Sequence, residues 1–405
     1  MSALEEGITR TLEGGCPEAL APVIREFVDS VCAAFPDQKI GVLLVGSASR
    51  GELSWRMDRG NTELFSDIEF LIGVERHDRA AQSRLDDRAK KISDDAKLGT
   101  FFHIDYTFIE WAKLGQLDTK FFIFESKTCG IDMCAHKLAP ELPATSKANL
   151  NWKELNEILI HRLSAILHAI PTDFFAAQPS AQTHQQFALA LAKNTLDITT
   201  WLHPYESTEL TAGFRNRVAS WQKTDFNSLK LSGFFGAADI QYLASCIALR
   251  GDPTMSADAR EMLPQTMRLY RQAIRYCKHM NGIAEHESLS GFNSSRALFD
   301  EYRLRARLAQ SASVLKHTHS VGLSRLWRNL FGVRRGLAVE ICSNLIDAAL
   351  AWKINEQDAH GELARAQDHL SKVIDMTISD QSPLPPRWYE TRAVFLQHQQ
   401  ITRNY

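Results

Sequence analysis

Several marks of particular protein classes are missing from this 405-residue sequence. No run approaches 18 consecutive apolar residues, which argues against a membrane-spanning helix. The N-terminal segment is acidic where a signal peptide would have a basic start and an apolar run. The 46 Lys and Arg residues balance 48 Asp and Glu residues, so there is no global field that would attract nucleic acid or an anionic membrane. We therefore expect a cytoplasmic protein with no membrane partner.

Cysteine is scarce as well. The seven cysteines are odd in number and scattered, which fits reduced thiols better than a disulfide framework. Cys129 and Cys134 have a C-x4-C spacing without a second Cys or His pair, which is a poor zinc motif. A P-loop, an HExxH motif and a GxGxxG fingerprint are also missing, which argues against the nucleotide and metal chemistries that these motifs support.

The patterns that are present divide the chain into two parts. Residues 1–140 alternate helical and strand signals, whereas residues 150–405 are helical almost throughout, with a break near 251–256 that could separate two sub-bundles. Two prolines and a cluster of Ser, Thr and Asn lie between the parts. The predicted fold class is α/β plus all-α, in which a small mixed sheet is followed by a large helical domain.

Hydrophobic periodicity predicts the individual elements. In the first part we expect a helix over 17–35, strands over 40–45, 67–74 and 102–109, a short helix after Ser47, an inserted loop or β-ribbon over 53–65, and an exposed helix over 77–98. In the second part we expect helices over 152–170, 182–203, 208–223, 236–249, 257–280, 294–315, 336–356 and 362–378, with prolines between them.

Acidic residues recur on the predicted strands. Asp67 and Glu69 are two positions apart, so a strand would direct both side chains to the same face, and Asp105 follows on a neighbouring strand. Carboxylates held this close repel each other unless they share divalent cations, and hard oxygen ligands favour Mg²⁺ or Mn²⁺. Three converging carboxylates are what a two-metal phosphoryl-transfer site requires.

A glycine and a serine close the first predicted strand. Gly46 would let backbone N–H groups approach a phosphate, and the Ser47 hydroxyl could donate to a phosphate oxygen at the start of the following helix. His103 shares a strand face with Asp105, and a structural histidine is the interpretation we favour for it.

This order of an apolar strand, Gly46-Ser47, Asp67-Ile-Glu69 and a later Asp105 resembles the polymerase-β-like nucleotidyltransferase superfamily. The resemblance covers about a quarter of the chain. The spacing from Gly46 to Asp67 is longer than is usual in that superfamily, which is why we interpret part of it as an insertion. Glu69 stands where many members have aspartate, although the superfamily pattern allows glutamate there.

The resemblance implies an activity and a set of roles. A nucleoside monophosphate would pass from a triphosphate, with ATP the expected donor, to an acceptor hydroxyl, and pyrophosphate would be released. Asp67 and Glu69 would hold two Mg²⁺ or Mn²⁺ ions, and Asp105 would bind the ion nearer the attacking hydroxyl and help to deprotonate it. Gly46 and Ser47 would bind the β- and γ-phosphates.

Basic residues are further candidates for nucleotide binding. In several branches of the superfamily a lysine on the first helices after the sheet reaches the triphosphate, and Lys193 is the candidate by this resemblance. Arg50 is a candidate as well, or it could order the loop that follows Ser47. Tyr205, Arg215 and Arg217 could line the same cleft. Lys193 could instead simply extend from an apolar helix face to solvent.

The acceptor is left open by the sequence. A small molecule or sugar is the acceptor we favour. A protein, RNA or nucleotide acceptor would make the chain a modifying enzyme or a second-messenger synthase of a toxin or defence type. A nucleotide-binding regulator without turnover is the alternative of another class.

A basic stretch bears on the nucleic-acid alternative. Between Glu301 and Glu340 there are eight basic residues, from Arg303 to Arg335, with aromatic residues among them. A solvated helix face is the interpretation we favour. The balanced net charge of the chain disfavours a long nucleic-acid substrate.

Overall fold

The fold is described from a computed structural model. It covers residues 2–99, 101–150, 152–176, 178, 180–224, 228–281, 335–351, 356–371 and 384–403. The chain forms two compact units. The first unit comprises Met1–Trp152, His203–Ser232 and Gly236–Ser256, and the second unit comprises Lys153–Leu202, Gly233–Phe235 and Ala257–Tyr405. Two helical segments that lie beyond the boundary expected from the sequence therefore belong to the unit that holds the sheet.

The strands of the first unit form a mixed sheet and a separate ribbon. They are β1 (Gly41–Val45), β2 (Trp55–Asp58), β3 (Asn61–Leu64), β4 (Ile68–Val74), β5 (Ile104–Glu110) and β6 (Ile131–Asp132). The main sheet has the order β5-β4-β1-β6, in which β1 runs antiparallel to β4 and β6 whereas β4 and β5 are parallel. A small mixed-sheet region with a mostly helical remainder confirms the predicted fold class at that level.

Helices make up most of the remaining described residues. They are α1 (Ala3–Glu13), α2 (Leu20–Ala34), α3 (Gly46–Ser49), α4 (Arg79–Ala96), α5 (Phe121–Cys129), α6 (Trp152–Ala169), α7 (Ala181–Glu206), α8 (Phe214–Lys223), α9 (Ala237–Gly251), α10 (Ala259–Met280), α11 (Arg335–Ala351), α12 (Glu356–Ser371) and α13 (Leu384–Arg403). None of these helices combines the length and the hydropathy needed to cross a membrane.

The central strand β1 organises the core of the first unit. All five of its residues are buried, as expected for a strand covered on both faces. Because successive side chains point to opposite faces, Val42 and Leu44 pack with Phe27 of α2, whereas Leu43 and Val45 join a smaller cluster on the opposite face. This packing holds the carboxyl end of β1 in place.

Helix α4 shows why the charge-rich segment 77–98 still folds onto the sheet. Asp78 caps its first turn by accepting hydrogen bonds from the backbone of Ala80 and Ala81. The buried residues recur at helical spacing and form one apolar stripe. They are Ala81, Leu85, Ala89 and Ile92.

The insertion at 53–65 forms the β-ribbon that the sequence allowed. Strands β2 and β3 pair from Trp55 opposite Leu64 to Asp58 opposite Asn61. The two turn residues, Arg59 and Gly60, both have positive φ. Two consecutive positive φ values match the twist of a tight two-residue hairpin.

Several element boundaries differ from the sequence prediction. Helices α1 and α13 were not predicted, and α13 begins at Leu384-Pro385-Pro386 where a break was expected. Proline is compatible with a first helical turn because the N–H groups there have no intrahelical partner. Pro204 lies inside the last turns of α7 instead of after them. The predicted helix 294–315 and the basic residues from 303 to 334 lie outside the described residues.

The second unit is a helical assembly with its own buried aromatic core. Tyr270 is buried, and its hydroxyl donates to the backbone oxygen of Asn194 at 2.6 Å. Trp388 is buried as well, and its indole N–H donates to the backbone oxygen of Leu345 at 2.6 Å. These buried polar tips are hydrogen-bonded, so each large side chain is held in one orientation.

Candidate active site

Three chain segments meet at one edge of the main sheet. Strand β1 ends at Val45, and β4 and β5 begin close beside that end. In the antiparallel pair Val45 lies opposite Glu69, and in the parallel pair Glu69 lies opposite Asp105. The Gly46-Ser47 turn and the acidic residues predicted for the site are therefore neighbours in space.

The turn after β1 has no room for a side chain. Gly46 has a φ of 71°, and a Cβ built on it would lie 1.9 Å from Oε2 of Glu69. The carboxylate of Glu69 thus occupies the space that the missing side chain leaves. Ser47, the next residue of α3, is half-buried.

Asp67, His103 and Asp105 form a group whose ligand atoms all lie within 4.8 Å of one another. Nε2 of His103 lies 3.2 Å from Oδ2 of Asp105 and 4.0 Å from Oδ2 of Asp67. The side chains of His103 and Asp105 are 55% and 59% exposed, whereas that of Asp67 is 18% exposed. The group therefore opens to solvent on the side of β5.

This group differs from the predicted metal set of Asp67, Glu69 and Asp105. The structure brings two of those carboxylates together with His103, although the sequence favoured a structural role for that histidine. Glu69 is directed toward Gly46, and its charge also acts on Arg50. The longer side chain of Glu69 reaches the vacant space above Gly46. The spacing of these residues in the sequence does not predict this contact.

The imidazole of His103 is held at both nitrogens. Nδ1 lies 3.0 Å from the backbone oxygen of Phe101, and the hydrogen bond of Nε2 with Asp105 raises the pKa of His103 to about 9, although burial opposes this rise. Two carboxylates and one imidazole are a donor set that suits a divalent cation. These residues therefore fit the metal that the resemblance implies.

Arg50 is engaged by carboxylates inside the protein. Its Nε donates to Oε2 of Glu52 at 2.9 Å and its Nη1 to Oε2 of Glu125 at 3.0 Å. Burial would lower the pKa of Arg50, but these two carboxylates outweigh it and the pKa is raised. These contacts tie the loop after α3 to α5, and the predicted contact of Arg50 with nucleotide stays a prediction.

A second arginine completes this ion network. Arg217 is fully buried, and its Nη1 donates to Oε1 of Glu125 at 2.8 Å. The backbone N–H of Gly213 donates to the same oxygen at 3.0 Å. Burial would raise the pKa of Glu125, but the charges of Arg50 and Arg217 outweigh it and the pKa is lowered.

The network surrounds an aromatic ring. The guanidinium groups of Arg50, Arg217 and Arg250 lie 5.5, 5.1 and 5.9 Å from the ring centre of Phe214. Arg250 also donates to the backbone oxygen of Glu52 at 3.1 Å. The loop that follows Ser47 is therefore anchored to residues 75 and 198 positions further along the chain.

The remaining predicted residues have different placements. Lys193 lies on the part of α7 that belongs to the second unit and is half-buried, with interactions of its own. Tyr205 is buried in the first unit. Arg215 is exposed, and its backbone N–H donates to Oε1 of Glu52 at 3.0 Å. Arg217 is fully buried in the ion network and pairs with Glu125.

Comparison with known proteins adds no assignment. No family model matches the chain, and neither the curated proteins nor the solved structures give a match.

His203, near the buried network, carries a testable pH dependence. It is fully buried, and burial together with the charge of Arg217, and to a smaller extent that of Lys147, lowers its pKa to about 4.

A lowered pKa of His203 means that the unfolded chain binds the proton more tightly than the folded chain does. Its contribution to stability is complete above pH 6.5 and is lost as the pH falls toward 4, by about 3 kcal/mol. Denaturant titrations of the wild type and His203→Gln at several pH values should show a shallower acid slope for the variant. Identical slopes would contradict the prediction.

Proposed function

We propose that this chain is a metal-dependent nucleotidyltransferase of the polymerase-β-like type, which moves a nucleoside monophosphate, with ATP the expected donor, onto an acceptor hydroxyl. The observation that carries the proposal is the meeting of three strand ends. Gly46-Ser47, Asp67 and Asp105 come from distant parts of the sequence and converge on one sheet edge, as the resemblance requires.

The residues of this edge have distinct parts in the proposed reaction. Divalent cations, when bound by Asp67 and Asp105, supply charge neutralisation and polarise the reacting oxygens. The hydroxyl of Ser47 donates a hydrogen bond to a phosphate oxygen beside the Gly46 turn. Asp105 takes up the acceptor proton as the acceptor oxygen bonds to the α-phosphorus and the bond to the leaving pyrophosphate breaks.

The acceptor we propose is a small molecule or a sugar. Asp105 is more than half exposed, so an acceptor hydroxyl can reach its carboxylate directly from solvent. A hydroxyl that is bound within hydrogen-bond reach of this carboxylate satisfies the geometric requirement for a general base.

The test is transfer of label from α-³²P nucleoside triphosphates in the presence of Mg²⁺ or Mn²⁺, with panels of sugars and other hydroxyl compounds, protein and RNA as separate acceptors. Metal-ligand carboxylates contribute several kcal/mol, so Asp67→Asn and Asp105→Asn should each lower transfer at least about a hundredfold. Asp94→Asn, an exposed acid of α4, is the matched control and should retain full activity.

Two outcomes would contradict the proposal. Full transfer by Asp67→Asn and Asp105→Asn would show that the reaction occurs elsewhere. Nucleotide binding by the wild type without transfer to any of the acceptors would favour the regulatory alternative. Label on protein or RNA alone would keep nucleotidyl transfer and replace the proposed acceptor.

A further inference from the structure

We propose that His103 is a direct ligand of the divalent cation in this site, and that the site therefore binds Mn²⁺ in preference to Mg²⁺. The inference rests on the proposed metal-dependent function and concerns the identity of its metal. It gives His103 a role in binding the metal, whereas the sequence favours a structural role for this residue.

The spacing of the donor atoms supports this role. At metal-to-ligand distances of about 2.1 Å, adjacent ligand atoms around a cation are about 3 Å apart and opposite ones about 4 Å. Nε2 of His103 lies 3.2 Å from Asp105 Oδ2 and 4.0 Å from Asp67 Oδ2. One small cation can therefore contact all three side chains after minor adjustment.

The orientation of the imidazole is independent support. The backbone oxygen of Phe101 can only accept a hydrogen bond, so Nδ1 of His103 carries the hydrogen at that 3.0 Å contact. This leaves Nε2 directed at the two carboxylates, and a cation bound at Nε2 takes the place of the proton that Nε2 otherwise shares with Asp105. Histidines that bind metals commonly hold their second ring nitrogen in this way, through a backbone carbonyl or a carboxylate.

The backbone around His103 is held as well. Its carbonyl accepts a hydrogen bond from the N–H of Ile68 at 3.1 Å, which extends the pairing of β4 and β5 by one step. Asp67 precedes Ile68 directly, so the same hydrogen bond sets the position of His103 relative to Asp67. The donor group is thus built on sheet backbone, which positions ligands more accurately than a free loop does.

The ligand types determine the metal preference. Mg²⁺ favours oxygen ligands and retains several waters, whereas an imidazole nitrogen suits the transition metals. Mn²⁺ accepts the two carboxylates as readily as Mg²⁺ does and gains from the nitrogen. We expect the wild type to bind Mn²⁺ at least about tenfold more tightly than Mg²⁺, and His103→Gln to lose most of that difference.

Electron paramagnetic resonance of the full-length protein with Mn²⁺ alone provides a readout that is independent of activity. Echo-envelope modulation of the bound Mn²⁺ should contain the signal of a directly coordinated ¹⁴N. When the histidines of the wild-type chain are labelled with ¹⁵N, a ¹⁵N signal should replace it. The signal should disappear in His103→Gln and persist in His136→Gln, a variant of an exposed histidine outside the group. Competition by Mg²⁺ gives the ratio of affinities.

The possible results separate this inference from the proposed function. Mn²⁺ that depends on Asp105 for binding but shows no nitrogen signal would overturn the role of His103 and leave nucleotidyl transfer standing. A nitrogen signal that survives in His103→Gln, or equal affinities for Mn²⁺ and Mg²⁺, would also overturn it. Failure of the labelled-nucleotide transfer assay with a nitrogen signal present would instead reject the function and keep the metal site.

Discussion

Replacing Glu125 with glutamine should lower the free energy of unfolding by about 3 to 5 kcal/mol, as expected when one partner of a buried ion network is removed. Glu125 accepts hydrogen bonds from Arg50, from Arg217 and from the backbone of Gly213. Glutamine keeps the size of the side chain but removes the charge that offsets two guanidinium groups. Because Arg217 is fully buried, water cannot replace the lost carboxylate. Chemical denaturation at neutral pH measures the change.

The chain offers a matched control for this experiment. Glu63 pairs with Arg56 across the β-ribbon, where both side chains are more than a fifth exposed. The same change, Glu63→Gln, should cost only about 0 to 1 kcal/mol because water screens the pair. Equal losses in the two variants would show that burial of the Glu125 network contributes nothing. Since the pKa of Glu125 is lowered, its contribution is present at neutral pH and is lost as the pH falls into the acidic range.

Gly46→Ala should lower nucleotidyl transfer at least about a hundredfold and destabilise the first unit. The added methyl would lie 1.9 Å from Oε2 of Glu69, so the carboxylate must leave its place between the turn and the sheet. The positive φ of the position adds about 1 to 2 kcal/mol of backbone strain. Displacement by even about 1 Å of a group next to the reacting atoms costs on the order of a hundredfold in rate. Label transfer and denaturation would be measured on the same preparation.

Gly60→Ala separates strain from crowding. Gly60 also has a positive φ, but a Cβ there meets nothing within 4 Å. This variant should show the strain alone and retain transfer activity. A second control is Glu69→Ala in the Gly46→Ala background, which removes the clash and should restore part of the lost stability. Similar activity of the Gly46 and Gly60 variants would show that the space above Gly46 has no part in the site.

The buried network explains how the turn after β1 is held in place. Residues just after that strand must keep one position if Ser47 is to meet a phosphate, and two arginines hold the loop that follows. Arg50 ties the loop to α5, and Arg250 ties it to α9. Arg50, which the sequence offers as a nucleotide-binding residue, thus supports the turn after β1. Support of this kind determines how accurately a site is positioned.

Much of the candidate site follows from local patterns. The apolar run before Gly46, the two-residue spacing of Asp67 and Glu69, and the strand that carries Asp105 could all be predicted, because side-chain alternation and burial are properties of a few adjacent residues. For residues 53–65 local composition left a loop and a β-ribbon open, and the pairing of β2 with β3 shows the ribbon. These patterns place the acidic residues near one another without indicating which of them share a ligand.

The sequence by itself determined β1, β4 and β5, their combination with helices, and the carboxylates at one edge of the sheet. Only the tertiary structure decided that His103 joins Asp67 and Asp105, and that Glu69 turns toward Gly46. It also placed Arg217 against Glu125, 92 positions away, where the sequence suggested a cleft residue. The physical reason is that alternation and periodicity act over a few residues, whereas side-chain direction, charge pairing and burial depend on which distant segments the fold brings together.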